Sequence, residues 1–198
     1  MKLAFNVEGD ILATSSWDNT VKLWRVSDGS LNITLEGNTD PQGPLAFSPE
    51  GDMLATGRNT TARLWWVSDG SLINTFVGHR SSVRTLAFRP EGNILATGSL
   101  DATARLWRVS DGSLITTFEG HRRLVGALAF NPEGDILASG SAGGTAILHL
   151  LSSNVLMRRG CQWIGMAYVR HNPDMQEWRN ICDGFEPDEV LSLSNNQK

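Results

Sequence analysis

A unit of 41 or 42 residues is repeated almost four times along this chain, and this period constrains the fold more than any single residue does. One marker is the phenylalanine of each Leu-Ala-Phe triplet, which recurs in steps of 42, 41 and 42 residues as Phe5, Phe47, Phe88 and Phe130. Another is the tryptophan of each Leu-Trp pair, which recurs as Trp24, Trp65 and Trp107. One further step of 42 residues leads to His149. Units of such a length stack on one another, because none can bury its apolar faces alone. The period favours binding over catalysis.

Each unit has the pattern of four short β-strands joined by tight turns. In the third unit, the apolar segments 84–88 and 94–99 flank a Pro-Glu-Gly-Asn turn, in which proline fixes one φ and glycine accepts a positive one. Residues 104–109 alternate between polar and apolar, and residues 114–118 are β-branched or aromatic, both typical of strands. Radial repetition of four-stranded antiparallel units predicts an all-β protein, a β-propeller.

The composition excludes several classes of protein. The net charge of −4 offers no broad attraction to nucleic acid or to an anionic membrane, and no apolar run approaches the roughly 20 residues of a membrane helix. The first residues do not read as a signal peptide, so we expect a cytoplasmic protein. The two cysteines, Cys161 and Cys182, lie outside the repeats, which therefore hold together without disulfides.

The Gly-His pair, the Ser or Thr, the turn Asp and the strand Trp of these units resemble the WD-repeat family of β-propellers, over about residues 2 to 158. In that family the four side chains form a hydrogen-bonded tetrad within each blade. The resemblance implies a complete tetrad in the third unit, formed by His79, Thr97 (or Ser99, on the same face), Asp101 and Trp107.

The other units depart from the family pattern. The first keeps Thr14, Asp18 and Trp24 but begins after the position of the histidine. The second keeps Thr56 and Trp65, with Asn38 in place of the histidine and Asn59 in place of the aspartate. The fourth keeps His121 and Ser139, with Gly143 in place of the aspartate and His149 in place of the tryptophan. These departures weaken individual blades and leave the resemblance to the family intact.

A histidine near an aspartate and a hydroxyl also invites interpretation as a catalytic triad. This trio recurs from unit to unit, whereas an active site needs to occur once, so we interpret it as a satisfied buried network. Cys161, His171 and Cys182 lack the short spacing of a zinc site, and Gly140–Gly144 lacks the lysine of a phosphate loop. We therefore expect no enzyme activity, no metal and no cofactor.

A partner-binding rim is the most specific functional prediction. Family members often bind peptides on the face that carries the Gly-His loops and the turns before the tetrad aspartate. By position, the resemblance places five residues of this chain there: Trp17, Arg58, Arg80, Leu100 and Arg122. The arginines could equally be solvated surface residues without a partner. The more specific hypothesis is that they bind an acidic peptide. Trp17 stands out as a large aromatic residue at the tip of a turn.

The repeat ends before the C-terminus. We predict propeller blades over 1–158 (at about 1–37, 38–78, 79–120 and 121–158), a helical hairpin over 159–185 and a flexible tail over 186–198. The hairpin would bring Cys161 close to Cys182, and reduced neighbours are expected in a cytoplasm. This tail resembles the end of bacterial, particularly cyanobacterial, WD-repeat signalling proteins.

Four blades do not easily close a ring of this family, which usually has seven blades. Three explanations stay open: the chain is the C-terminal part of a longer protein, two copies close an eight-bladed ring, or four blades close alone. The first is favoured, then the second. The leading functional hypothesis is a non-enzymatic protein-interaction scaffold or sensor of a bacterial signalling protein. The alternative is an orphan or self-assembling partial propeller without a specific ligand.

Overall fold

The computed structural model describes residues 2–36 and 43–151, and these ranges contain fifteen β-strands and no helix. Three sheets have four strands each in chain order. The first comprises β1 (Lys2–Phe5), β2 (Ile11–Ser15), β3 (Val21–Arg25) and β4 (Leu31–Leu35). The second comprises β5 (Leu45–Phe47), β6 (Met53–Arg58), β7 (Thr61–Trp66) and β8 (Leu72–Val77). The third comprises β9 (Val83–Phe88), β10 (Ile94–Ser99), β11 (Ala104–Arg108) and β12 (Leu114–Phe118).

The described part of the fourth sheet has three strands, β13 (Val125–Phe130), β14 (Ile136–Ser141) and β15 (Thr145–Leu150). Every pairing in the four sheets is antiparallel. The predicted all-β fold of short antiparallel units is confirmed. The predicted hairpin and tail, both cysteines and Asn38 lie outside the described residues.

The sheets pack face to face around the first strand of each. Strand β1 lies beside β5, β5 beside β9, and β9 beside β13, as the blades of a propeller require. Between the first two sheets, a buried cluster joins Leu23 and Leu35 to Leu54 and Trp65. Between the second and third sheets, Leu64 and Phe76 of one sheet meet Leu95 and Trp107 of the other. The core of the protein therefore lies between sheets and not within any one of them.

The antiparallel order divides the loops between two rims. We call the upper rim the loops at 16–20, 59–60, 78–82, 100–103, 119–124 and 142–144. The lower rim has the loops at 6–10, 26–30, 48–52, 67–71, 89–93, 109–113 and 131–135. On the lower rim the Ser-Asp-Gly-Ser turns are structural, because Asp28, Asp69 and Asp111 each accept a hydrogen bond from the backbone two residues ahead at 2.9 Å. Residues 2–36 and 43–151 contain no helical segment that could span a lipid bilayer.

Candidate functional site

The third sheet carries a continuous chain of hydrogen bonds through four side chains. Trp107 Nε1 donates to Thr97 Oγ1 at 2.9 Å, and Thr97 Oγ1 lies 2.7 Å from His79 Nε2. His79 Nδ1 lies 2.9 Å from Asp101 Oδ2, which also accepts from the backbone N–H of Arg80 at 2.9 Å. Ser99, the alternative to Thr97, donates instead to the carbonyl of Ser81.

The carboxylate of Asp101 assigns the tautomer of His79. An ionised carboxylate can only accept, so His79 Nδ1 carries the proton and donates it to Asp101. Because burial lowers the pKa of His79 and favours its neutral form, Nε2 has no proton and accepts from the hydroxyl of Thr97, which in turn accepts from the indole. Because every group is satisfied and the His79 side chain is 1% exposed, the network stabilises the fold and offers no reactive atom to solvent.

The two ionisable members have pKa values displaced by these surroundings. Burial lowers the pKa of His79, and its hydrogen bond to Asp101 opposes that effect only in part. Burial acts to raise the pKa of Asp101. Hydrogen bonds from the Thr103 side chain, the Arg80 amide and His79 outweigh it and hold that pKa below its usual range.

In the first two sheets the same positions form shorter networks. Trp24 donates to Thr14 at 2.9 Å, and Trp65 donates to Thr56 at 3.0 Å. Asp18 has no histidine partner among the described residues and binds Lys22 at 2.8 Å. Among the described residues, Lys22 is therefore the charge partner of Asp18.

The second sheet departs from the pattern expected at Asn59. Arg58 pairs with Thr61, so Asn59 lies in a two-residue turn with a φ of 43°. In the third sheet the equivalent turn is longer, and the positive φ of 65° falls on Ala102 instead. Asn59 therefore does not occupy the geometric place of Asp101.

The fourth sheet builds a different network around Ser139. His121 Nε2 and His149 Nε2 both lie 2.8 Å from Ser139 Oγ. Where the third sheet has an aspartate, His121 Nδ1 lies 3.1 Å from the hydroxyl of Thr145. The ring of His149 stacks on Phe118 with centroids 4.1 Å apart, and burial lowers its pKa, with a smaller contribution from His121. Histidine thus substitutes for tryptophan as a hydrogen-bonding side chain.

Sequence reasoning missed a repeated threonine in these networks. Thr20 and Thr103 each donate to the turn aspartate at 2.6 Å, and Thr145 contacts His121. A signal for them is present, since Thr20, Thr61, Thr103 and Thr145 recur in steps of 41, 42 and 42 residues.

The predicted rim residues all lie on the upper rim. Trp17 is 69% exposed and Leu100 is 38% exposed, at equivalent turn positions of the first and third sheets. Arg80 and Arg122 follow the Gly-His pairs that precede β9 and β13, and both are exposed. Arg58 ends β6 and is half-buried. The structure thus distributes the five residues over neighbouring sheets on a single rim.

The two rims differ in charge. Within the described residues, neither Arg80 nor Arg122 forms an ion pair, whereas Arg25, Arg89 and Arg108, at the lower end of the sheets, each do. The lower-rim loops carry a series of acidic residues, namely Glu8, Asp10, Asp28, Glu50, Asp52, Asp69, Glu91, Asp111, Glu133 and Asp135. Unpaired arginines on the upper rim can bind carboxylates of a partner.

Comparison with known proteins identifies the repeat. The family model described as WD domain, G-beta repeat matches residues 1–25, 29–65, 70–108 and 112–149. The chain belongs to the WD40 family. The tetrad of the third sheet therefore lies in one WD40 repeat, and the His-Ser-His network of the fourth sheet lies in another.

Similarity to curated WD40 relatives is local. The chain is 45% identical to mouse Coronin-7 over 47 residues, which are 24% of this chain and 5% of that protein. It is 39% identical to the probable cytosolic iron-sulfur protein assembly protein 1 of Mycosarcoma maydis over 64 residues, 28% of this chain and 14% of that protein. The chain thus spans a small part of these relatives' length.

Solved structures match more of the chain. The crystal structure of the computationally designed Ika4 protein has a TM-score of 0.67 and 28% identity, covering 76% of this WD40 chain and 89% of Ika4. The computationally designed Ika8 protein has a TM-score of 0.66 and 28% identity, covering 75% of this chain and 44% of Ika8. The matched region is thus nearly all of one designed chain and less than half of the other.

Proposed function

We propose that this chain is a non-enzymatic protein-interaction module whose upper rim binds an acidic segment of a partner protein. WD40 repeats generally mediate protein–protein interaction. The observation that carries the proposal is the pair Arg80 and Arg122, which occupy equivalent positions 42 residues apart, are exposed and have no ion pair among the described residues. Trp17 and Leu100 add exposed apolar surface on the same rim.

The absence of catalysis is proposed on the geometry of the tetrad. The only histidine hydrogen-bonded to both an aspartate and a hydroxyl in the described ranges is His79. That hydroxyl belongs to Thr97, which is fully buried and is also bonded to Trp107. A nucleophile needs a free oxygen that faces substrate. Within the same ranges no group of three or more His, Cys, Asp or Glu side chains could hold a metal ion.

A cleft at the lower end of the second and third sheets does not change this proposal. It has a volume of about 610 Å³ and is lined mainly by apolar side chains, including Met53, Trp66 and Ile115. Arg108 is its one charged lining residue. The cleft offers no acid–base pair to a substrate.

The experiment measures binding of a short fluorescein-labelled peptide of glutamate and leucine by fluorescence anisotropy. The control peptide has glutamine in place of glutamate. The double variant R80E/R122E is expected to weaken binding of the acidic peptide at least tenfold, which corresponds to about 1.4 kcal/mol. The matched control is R25E/R108E, which changes the charge equally at the lower end of the sheets.

Two results would contradict the upper-rim site. One is equal binding of the two peptides, and the other is equal weakening by both double variants. Binding through arginines should also weaken as salt is raised, because the exposed charges are screened. Trp17→Ala should also reduce affinity for the acidic peptide, because the exposed tryptophan would contact the leucine side chains of that peptide.

The wider setting is also a proposal. We propose a cytoplasmic protein that forms the C-terminal part of a larger bacterial signalling protein, supported by the resemblance of its last residues to such proteins. Sequencing of the coding region upstream of Met1 tests this setting. Further repeats joined to an NTPase or kinase domain would support it, and a stop codon in frame would contradict it. The alternative, self-assembly of two copies, is supported by a separate feature, namely the exposed apolar side chains on the first and fourth sheets.

A further inference from the structure

The four sheets share one packing rule, which assigns each face a partner. The leading face of a sheet meets the preceding sheet. It is formed by the leucine and phenylalanine of the first strand, the leucine of the second strand and the tryptophan position of the third strand. The trailing face meets the following sheet. It is formed by the alanine of the second strand and by the leucine that precedes the tryptophan in the third strand. Leu45 and Phe47 thus pack on the cluster that contains Ala13 and Leu23. Leu86 and Phe88 pack in the same way on the cluster that contains Leu64.

The leading face of the first sheet has no sheet against it in the described ranges. Leu3 is 61% exposed and Phe5 is 55% exposed, whereas their equivalents in the other three sheets are half-buried. Leu12 is half-buried, whereas its equivalents Leu54 and Leu95 are fully buried. The open face is therefore apolar at the same positions that form the internal interfaces.

The trailing face of the fourth sheet likewise has no sheet packed on it among residues 2–36 and 43–151. Leu148 is 57% exposed, whereas Leu23, Leu64 and Leu106, at the same position in the other sheets, are 0 to 3% exposed. Ala146 is exposed, and its equivalent Ala104 is buried. Apart from Lys22, which shares the leading face of the first sheet with Thr14 and Trp24 and is paired with Asp18, the strand side chains that define the two open faces carry no charge.

As the alternative to further repeats in a longer chain, we propose that a second copy of this chain covers both faces. The leading face of the first sheet of one copy would pack on the trailing face of the fourth sheet of the other, and the reverse contact would close a ring. Each contact would repeat the sheet-to-sheet packing found three times within the chain, so no new type of interface is needed. Two copies give eight sheets at about 45° each, within the range of about four to eight blades for propellers. Each contact joins a leading face to a trailing face. The ring closes after two copies only if neighbouring sheets are rotated by about 45°.

The experiment measures the molar mass of the full chain by multi-angle light scattering after size exclusion. The expected mass is twice 21.6 kDa, or 43.2 kDa. A mass of 21.6 kDa at tens of micromolar, or a series of growing polymers, would overturn the proposal. A monomer would mean that a second copy does not cover the open faces. Growing polymers would mean that the copies bind one another through these faces but that the rotation between sheets does not close a ring after two copies.

Charge exchange across the predicted contact makes the test specific. Phe5→Lys and Leu148→Glu each place a charge on one open face, and each variant alone should be monomeric. An equimolar mixture should regain the dimeric mass, because the face with the introduced lysine would meet the face with the introduced glutamate, and the other two faces would be unaltered. Circular dichroism should show that both variants remain folded, since the original side chains are exposed. Failure of the mixture to dimerise would overturn the proposed pairing of these faces.

The matched control is Val77, which is 68% exposed on the second sheet and belongs to neither open face. Val77→Lys and Val77→Glu should leave the dimeric mass unchanged. Loss of the dimer in either control variant would mean that surface charge in general, and not the predicted contact, controls association. Because R80E/R122E alters only the upper rim, it should not change the mass, so peptide binding and self-association are tested independently.

Discussion

Gly98 lies so close to Val125 that a methyl group on its α-carbon would be 2.8 Å from the valine Cγ1 and 3.1 Å from its carbonyl oxygen. The same methyl group would lie 2.6 Å from Thr85 Cγ2. Because Val125 begins the first strand of the fourth sheet, this glycine allows the third and fourth sheets to approach each other.

Gly98→Ala should therefore destabilise the protein by about 1–3 kcal/mol, since the core must shift to admit the methyl group. Urea denaturation followed by tryptophan fluorescence measures the effect. Gly143→Ala is the control, because its nearest neighbour would lie 3.6 Å away, an ordinary contact distance. Equal loss of stability in the two variants would show that close packing at Gly98 is not the cause.

Thr97→Val tests the tetrad with almost no change in shape. The substitution leaves the buried Trp107 N–H and the His79 Nε2 without a partner, so the free energy of unfolding should fall by roughly 2–4 kcal/mol. Thr14→Val in the first sheet removes only the bond from Trp24 at a half-buried position and should cost about 1 kcal/mol. A larger cost at Thr14 than at Thr97 would contradict a cooperative tetrad.

The free energy of unfolding should depend on pH through the buried histidines. Burial lowers the pKa of His79 and of His149, so both are neutral when folded, whereas in the unfolded chain they take up protons near pH 6.5. Their contribution is therefore fully present above about pH 6.5 and is lost as the pH falls through the lower folded values. The urea midpoint should be lower at pH 5.5 than at pH 7.5, with a slope of at most about 1.4 kcal/mol per pH unit for each histidine. A midpoint that rises on acidification would mean that the folded histidines are charged.

His149→Trp should restore the tryptophan of the repeat and stabilise the fourth sheet. A tryptophan there could donate to Ser139 as Trp107 donates to Thr97, and it could pack against Phe118 as Trp107 packs against Phe76, with centroids 5.8 Å apart. We expect a gain of about 1 kcal/mol and a weaker pH dependence. His149→Phe is the control, because it adds apolar area without a donor. An equal gain in both variants would mean that the hydrogen bond to Ser139 contributes nothing.

The period of the sequence was sufficient to predict the all-β repeat, because apolar strands separated by Pro, Gly and Asp turns recur at fixed positions. The same subtraction relates Leu23, Leu64, Leu106 and Leu148. What spacing could not give is the difference between them: the first three are buried and Leu148 is exposed. Burial depends on which sheet lies opposite, and that is a property of the assembled sheets.

The site divides in a similar way. Sequence alone determined which residue types could form a tetrad, because His79, Thr97, Asp101 and Trp107 stand at the spacing of the family. Only the tertiary structure decided between Thr97 and Ser99, since the choice depends on which hydroxyl the indole of Trp107 reaches. Only the tertiary structure shows that Asp18 pairs with Lys22, and that His149 keeps a bond to Ser139. The physical reason is that hydrogen bonds depend on distances of tenths of an ångström across strands, which a linear spacing does not encode.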